Sequence, residues 1–287
     1  MIAYRTRDRS QIPPIIYFLI SATFHYLGPA FAVLLFAHVE VLGVAWLRIA
    51  SAAAIFALWR RPWRLFLNST WEQRRLLFAL GMVLAVMNAS FYLAISRLAL
   101  GTVGAIEFVG QILLAAIGIR SRRNLFALGL AVTGGGLLSN ILLEGQFIGL
   151  VFALVNCIFF MLYVVLGHRI AQDGGSAGID RLATSMLIAF LIISPVGFKE
   201  AIPAFTSLQL LLTGIGVGIC SSVIPYITDQ LAMARLPRAS FALLLSLLPA
   251  MAVVIGAVIL GQIPSGGEII GVLLIMAGVA IHQSAST

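Results

Sequence analysis

The sequence predicts an all-α integral membrane protein of ten transmembrane helices, arranged as two inverted five-helix repeats. Three observations predict it: the composition, the lengths of the apolar runs and the one-sided placement of the basic residues. Of 287 residues, 61% are hydrophobic and only 10% are charged, whereas soluble domains carry about 25% charged residues. So few charges cannot cover a soluble surface of this size, so lipid must cover it. At about 20 residues per span, ten helices consume about 200 residues and leave fewer than about 90 for loops and tails. That excludes a soluble catalytic domain, a receptor ectodomain and an attached nucleotide-binding domain.

Apolar runs bounded by Arg, Gly, Pro or acidic residues place the first five spans at 13–36, 40–59, 76–96, 99–119 and 124–142. The second five lie at 147–168, 180–198, 207–229, 237–260 and 267–283. Lipid leaves backbone groups no water, and no run alternates with a period of two, so each is a helix rather than a strand. The first run, 12–36, is too long for a signal-peptide core and no A-x-A site follows it. His25 and Tyr26 bring polar groups close to its Gly28-Pro29 break. The second helix carries Arg48 about nine residues in, and a charge at mid-membrane costs roughly 2.5–3.5 kcal/mol. It is either a functional cation or a snorkelling side chain.

In the third helix Gly81, Ala85, Asn88 and Tyr92 share one stripe. The fourth aligns Gly104, Glu107 and Gln111 in the same way, with Glu107 too deep and too short to reach water. It must pair with a cation, Arg48 being the candidate, or bind substrate or a proton. Asn156, Phe160 and Tyr163 share a face of the sixth helix. Pro225 in the eighth and Pro249 in the ninth, like Pro29, each free a backbone carbonyl for a substrate ammonium or for bending. Asp229 ends the eighth span near the cytoplasmic side, where solvation is expected. Cys157 and Cys220 fall inside apolar runs and read as small core residues.

Of 18 Lys and Arg, 15 fall on one side of these spans, at Arg5, Arg7, Arg9, Arg60, Arg61, Arg64, Arg74, Arg75, Arg120, Arg122, Arg123, Arg169, Arg181, Arg235 and Arg238. Only Arg97 and Lys199 lie opposite. The positive-inside rule makes both termini cytoplasmic, with Trp59, Trp63 and Trp71 at the same boundary. The net charge of +8 therefore reports topology, not nucleic-acid binding. A shift of 138 residues lays Ala94-Ile95-Ser96-Arg97-Leu98 over Ala232-Met233-Ala234-Arg235-Leu236. This divides the chain into repeats at 13–142 and 147–283, each of five helices. An odd number inverts the second copy, the arrangement of secondary transporters with a midplane site.

Gly174-Gly175-Ser176-Ala177-Gly178 fits G-x-S-x-G but follows no strand, so it reads as a loop connector. Asn68-Ser69-Thr70 reads as a glycosylation site on the wrong side of the membrane. No Walker A loop, H-E-x-x-H or cluster of metal ligands occurs, so neither a cofactor nor a metal is expected.

The stretch Ser221-Ser222-Val223-Ile224-Pro225-Tyr226, with Asp229, Ala234-Arg235-Leu236-Pro237 and Leu245-Ser246-Leu247-Leu248-Pro249-Ala250 after it, resembles the second-half signature of the EamA family of the drug/metabolite transporter superfamily. Arg48-Ile49-Ala50 looks like its second-helix arginine, and Ala105-Ile106-Glu107-Phe108-Val109-Gly110 like its A-L-E-F-x-G segment. Within the family the likeness is greatest to threonine and homoserine exporters. It implies a ten-helix exporter of small metabolites with a cavity between inverted repeats, and a site at Arg48, Glu107 and 222–229. Leu248 stands where the family often has Glu, and Gln111 where it often has Pro, so one carboxylate able to carry a proton is missing.

The expected function is export of neutral amino acids across a bacterial inner membrane by alternating access. Arg48, Glu107, Asn88, Tyr92, Gln111, Asn156, Tyr163, Ser222, Pro225 and Tyr226 are the candidate substrate residues. Glu107 and Asp229 are the candidate proton carriers. Two rival expectations are a carrier for amphipathic drugs, organic cations or aromatic metabolites, and, remotely, a membrane-embedded enzyme on lipid-linked substrates.

Overall fold

The computed structural model describes residues 13–107, 109, 121–138, 146–171, 175–236 and 248–281. Among these residues the regular structure is entirely helical. The helices are α1 (Pro14–Leu35), α2 (Val41–Arg60), the short α3 (Pro62–Asn68), α4 (Trp71–Ile95), α5 (100–107), α6 (Arg122–Leu138), α7 (Phe147–Ala171) and α8 (Gly175–Ala201). They continue with α9 (Leu208–Gly218), α10 (Ile224–Met233), α11 (Leu248–Leu260) and α12 (Gly266–Ile281). A 3₁₀ turn (Ile202–Thr206) follows α8, and a π turn (Ile219–Val223) joins α9 to α10.

Among the described residues six helical runs are long and apolar enough to cross a membrane: Pro14–Leu35, Val41–Arg60, Trp71–Ile95, Phe147–Ala171, Ser176–Thr206 and Leu208–Met233. The burial pattern agrees with that reading. Large apolar side chains such as Leu34, Leu58, Leu191, Leu212 and Val258 are exposed, while Arg48, Glu107, Asn156 and Gln230 are buried. A soluble protein would show the reverse. The protein is therefore a multi-pass membrane protein.

Several expectations change at this level. The run expected at 180–198 begins earlier, because the glycine-rich segment read as a loop opens α8: Gly175, Ser176 and Gly178 are helical. The eighth span does not stop at Asp229 but continues to Met233. The ends of α4 and α2 follow local chemistry. Thr70 accepts from the Gln73 backbone and Gln73 Oε1 accepts from the Thr70 N–H, a capping box. Arg61, at φ 49°, turns the chain from α2 into α3.

Glycines set the packing around the centre. α2 lies against α8, α4 against α7 and α8, and α1 against the π turn and α10. A methyl group at Gly43 would run into the backbone of Glu200, and one at Gly81 would come within 2.9 Å of the Ser185 carbonyl. A methyl at Gly28 would lie 2.7 Å from the Ser221 nitrogen, and one at Gly218 would lie 2.8 Å from the Arg48 carbonyl oxygen. The π turn is thus clamped between α1 and α2 by two residues without side chains. Small residues allow this approach, and the gain is dispersion contact that lipid cannot supply.

Candidate functional site

Pro225 explains the π turn. Proline has no N–H to give to the carbonyl four residues back, and its ring crowds that carbonyl. The carbonyl is that of Ser221, and just before Pro225 the helix widens, with the Ile224 N–H reaching back to Ile219. The Ser221 oxygen, left without its helical donor, accepts from Arg48 Nη2 at 2.7 Å. Arg48 Nε donates to Ser222 Oγ at 2.8 Å, and Nη2 also lies 3.5 Å from the Tyr226 hydroxyl. Its guanidinium sits 5.4 Å from the centre of the Tyr92 ring, an arrangement that favours a cation. Arg48 is 3% exposed, so it does not snorkel. The carbonyl expected to await a substrate ammonium is occupied by this arginine instead.

Glu107 stands on the opposite wall. Tyr26 of α1 donates to its Oε2 and Asn156 of α7 to its Oε1, each at 2.8 Å. Gly104 lies one turn earlier on the same face, and the Tyr26 hydroxyl is 3.1 Å from where a methyl there would stand. The glycine therefore admits the phenol that binds the carboxylate. Cys157 is buried and its thiol donates to the Glu107 carbonyl, in keeping with a core role.

Arg48 and Glu107 do not form an ion pair. Among the described residues the pair within contact distance is Arg60–Asp180, at 2.5 Å, away from this centre. The direct pairing that the sequence left open is not made. Instead both charges line one cavity of about 10 Å³ together with His25, Asn88, Asn156 and Tyr226. Asn88 and Tyr226 hydrogen-bond each other, with the Asn88 amide donating to the phenol at 3.3 Å. Each charge is held by neutral groups, so each remains available to an oppositely charged ligand.

Asp229 departs furthest from expectation. It is buried, not solvated, because α7 and α1 close over it. Ser21 Oγ lies 2.5 Å from Oδ1, and the Tyr163 hydroxyl donates to Oδ2 at 3.2 Å. These three line a second cavity of about 10 Å³ whose wall of His25 and Phe160 is shared with the first. Asn156 and Tyr163, grouped on one face of α7, thus serve different carboxylates. Gln111 lies outside the described residues.

Ser21, Tyr26 and Ser221 were not among the expected site residues. Phe18, Ser21, His25 and Gly28 recur at spacings of three, four and three and are all buried, a stripe that could have marked the inward face of α1. Ser221 is marked differently: it lies four residues before Pro225, so its carbonyl is the one that the proline frees.

The residues 147–282 match the EamA-like transporter family. Over 271 residues the chain is 32% identical to the threonine/homoserine exporter RhtA of Salmonella typhimurium, covering 92% of this chain and 89% of that protein. It is 33% identical over 255 residues to the RhtA exporter of Escherichia coli, covering 87% of this chain and 84% of that one. A crystal structure only 17% identical superposes with a TM-score of 0.62, covering 93% of this chain and 96% of the other, a likeness of fold alone. The chain therefore belongs to the EamA-like transporter family of the drug/metabolite transporter superfamily, whose members matched here are carriers and not enzymes.

Proposed function

We propose that this protein exports neutral amino acids of the threonine or homoserine type across a bacterial inner membrane. The observation that carries this reading is the unpaired Arg48 and Glu107 facing one cavity. A zwitterion needs a cation for its carboxylate and an acceptor for its ammonium, close together and shielded from water. Arg48 gives Nε and Nη2 to protein oxygens while its guanidinium lines the same cavity as Glu107. The guanidinium takes the substrate carboxylate, Glu107 takes the ammonium, and Asn88, Asn156 and Tyr226 supply neutral polar contacts. The sequence likeness to threonine/homoserine exporters supports the same substrate class.

Each cavity is about 10 Å³, room for about one water, so an amino acid enters only when the walls part. We read the chain as ten spans in two inverted repeats, 13–142 and 147–283, with both termini cytoplasmic. In support, α4 packs on α7 and α8 while α1 and α2 pack on the 208–233 helix, the pattern that exchanging the halves would produce. Rocking of one half against the other then exposes the site alternately. Coupling to protons would use one of the buried carboxylates, Glu107 or Asp229.

Counterflow in proteoliposomes tests the reading. Labelled threonine outside should accumulate against an internal excess of unlabelled threonine or homoserine. Silence across a panel of neutral and aromatic amino acids, from folded protein, would refute it and favour the organic-cation carrier. That rival needs no arginine in its cavity, so transport retained by Arg48→Ala would also favour it.

A further inference from the structure

Three charged side chains are buried among the described residues: Arg48, Glu107 and Asp229. With both acids ionised the centre carries one net negative charge, and a bound zwitterion leaves that sum unchanged. An uncompensated charge in a low-dielectric interior is costly, so one proton belongs to the set. The hydrogen-bond geometry distinguishes its two seats. Glu107 faces a phenol and an amide that both donate to it. The amide nitrogen of Asn156 cannot accept, and among the described residues the Tyr26 hydroxyl makes its hydrogen bond to Glu107. A neutral Glu107 still accepts from Asn156 at its carbonyl oxygen, but its own hydroxyl and the Tyr26 hydroxyl then share one hydrogen bond, so one hydrogen is left without an acceptor.

Asp229 differs because its closest neighbour is a rotor. Ser21 Oγ lies 2.5 Å from Oδ1 and 3.3 Å from the Pro225 carbonyl oxygen. When Asp229 is ionised, Ser21 donates to it. When Asp229 is protonated, it donates to Ser21 Oγ and the serine hydrogen turns to the Pro225 carbonyl. Every polar atom is satisfied in both forms. Tyr163 from α7 faces the carboxylate at 3.2 Å, and His25 from α1 lines the same cavity. Tyr226 precedes Asp229 on α10, and Arg48 of α2 lies beyond it, held by Ser221 and Ser222. On α8, Asp180 is paired with Arg60, and Arg181 donates to the Ile170 carbonyl.

We propose that Asp229, seated between Ser21 and Tyr163, carries the single proton to which transport is coupled, while Glu107 stays ionised as the partner of the substrate ammonium. This rests on the amino-acid exporter reading above. Proton uptake forms the Oδ1–H bond at the expense of a hydronium O–H bond, leaving water. Release on the other side of the membrane reverses the step, with water as the acceptor.

The test compares threonine accumulation driven by a pH gradient with threonine counterflow, in the same proteoliposomes. Wild type should accumulate more under the gradient, and in Asp229→Asn the ratio of driven to undriven flux should fall to one, whatever the absolute rate. A ratio preserved in Asp229→Asn overturns the proposal, as does Glu107→Gln being the variant that exchanges but ignores the gradient. Should Asp229→Asn fail to fold, Ser21→Ala decides. It should move the pH midpoint of driven flux by about one unit, and an unchanged profile overturns the proposal. Wild-type counterflow without any response to pH refutes the proton seat alone; no counterflow in wild type refutes the exporter reading and this inference with it.

Discussion

Alanine at Gly28 adds one methyl group where α1 meets the π turn. The new carbon would stand 2.7 Å from the Ser221 nitrogen and 2.9 Å from its Cα, against 3.4 Å for ordinary contact, so something must retreat by about 0.7 Å. The serine hydroxyl can swing aside, but the backbone cannot. The turn has no room to yield toward α2, because Gly218 already lies against the Arg48 carbonyl and Ser51. α1 must therefore move, carrying Tyr26 away from Glu107 and Ser21 away from Asp229. Overpacking of this kind costs about 1–3 kcal/mol, and closure on both faces puts Gly28→Ala at the upper end. Gly216 lies on the same 208–233 helix with no atom within 4 Å of an added methyl. Gly216→Ala should gain up to about 1 kcal/mol from helix propensity. Thermal unfolding in detergent, with counterflow on the same preparations, measures both. Equal stabilities for the two variants, or unaltered transport by Gly28→Ala, would refute the claim that this contact positions the site.

Other perturbations separate the remaining contacts. Arg48→Lys keeps the charge but cannot hold Ser222 Oγ and the Ser221 carbonyl with one rigid fork. Losing one charged hydrogen bond costs about 1.5–3 kcal/mol, so the threonine KM in counterflow should rise roughly 10–100-fold. Tyr26→Phe deletes a 2.8 Å bond to Glu107 and should lower unfolding stability by about 1–3 kcal/mol, read by thermal unfolding in detergent. Arg60→Ala breaks an ion pair whose side chains are 21% and 34% exposed. Such pairs contribute at most about 1 kcal/mol, so saturating transport should be unchanged while the melting temperature falls slightly.

Membrane residence and most spans were legible because lipid acts on local composition: a run of some 20 apolar residues is its own evidence. Arg48 and Glu107 were legible for the same reason, since a charge in such a run is conspicuous. The proline at 225 was recognised as freeing a carbonyl, but which group would take it was not. Ser21 carries no signal in the sequence, and Tyr26 reads only as a polar group near the first break, because a hydroxyl is cheap in a helix and acquires meaning only from a partner. Ser21 lies 208 residues from Asp229, and no local pattern spans that distance.

Sequence alone determined the class of the protein, the inward stripes and the two charges that lipid would not choose. Tertiary structure decided that those charges stay apart, that Arg48 belongs to the broken helix, and that Asp229 is buried. The physical reason is that desolvation is read residue by residue, whereas satisfying a buried polar group depends on what the opposite helix presents. Gly28 and Gly218 make that meeting possible by letting the widened turn sit between α1 and α2.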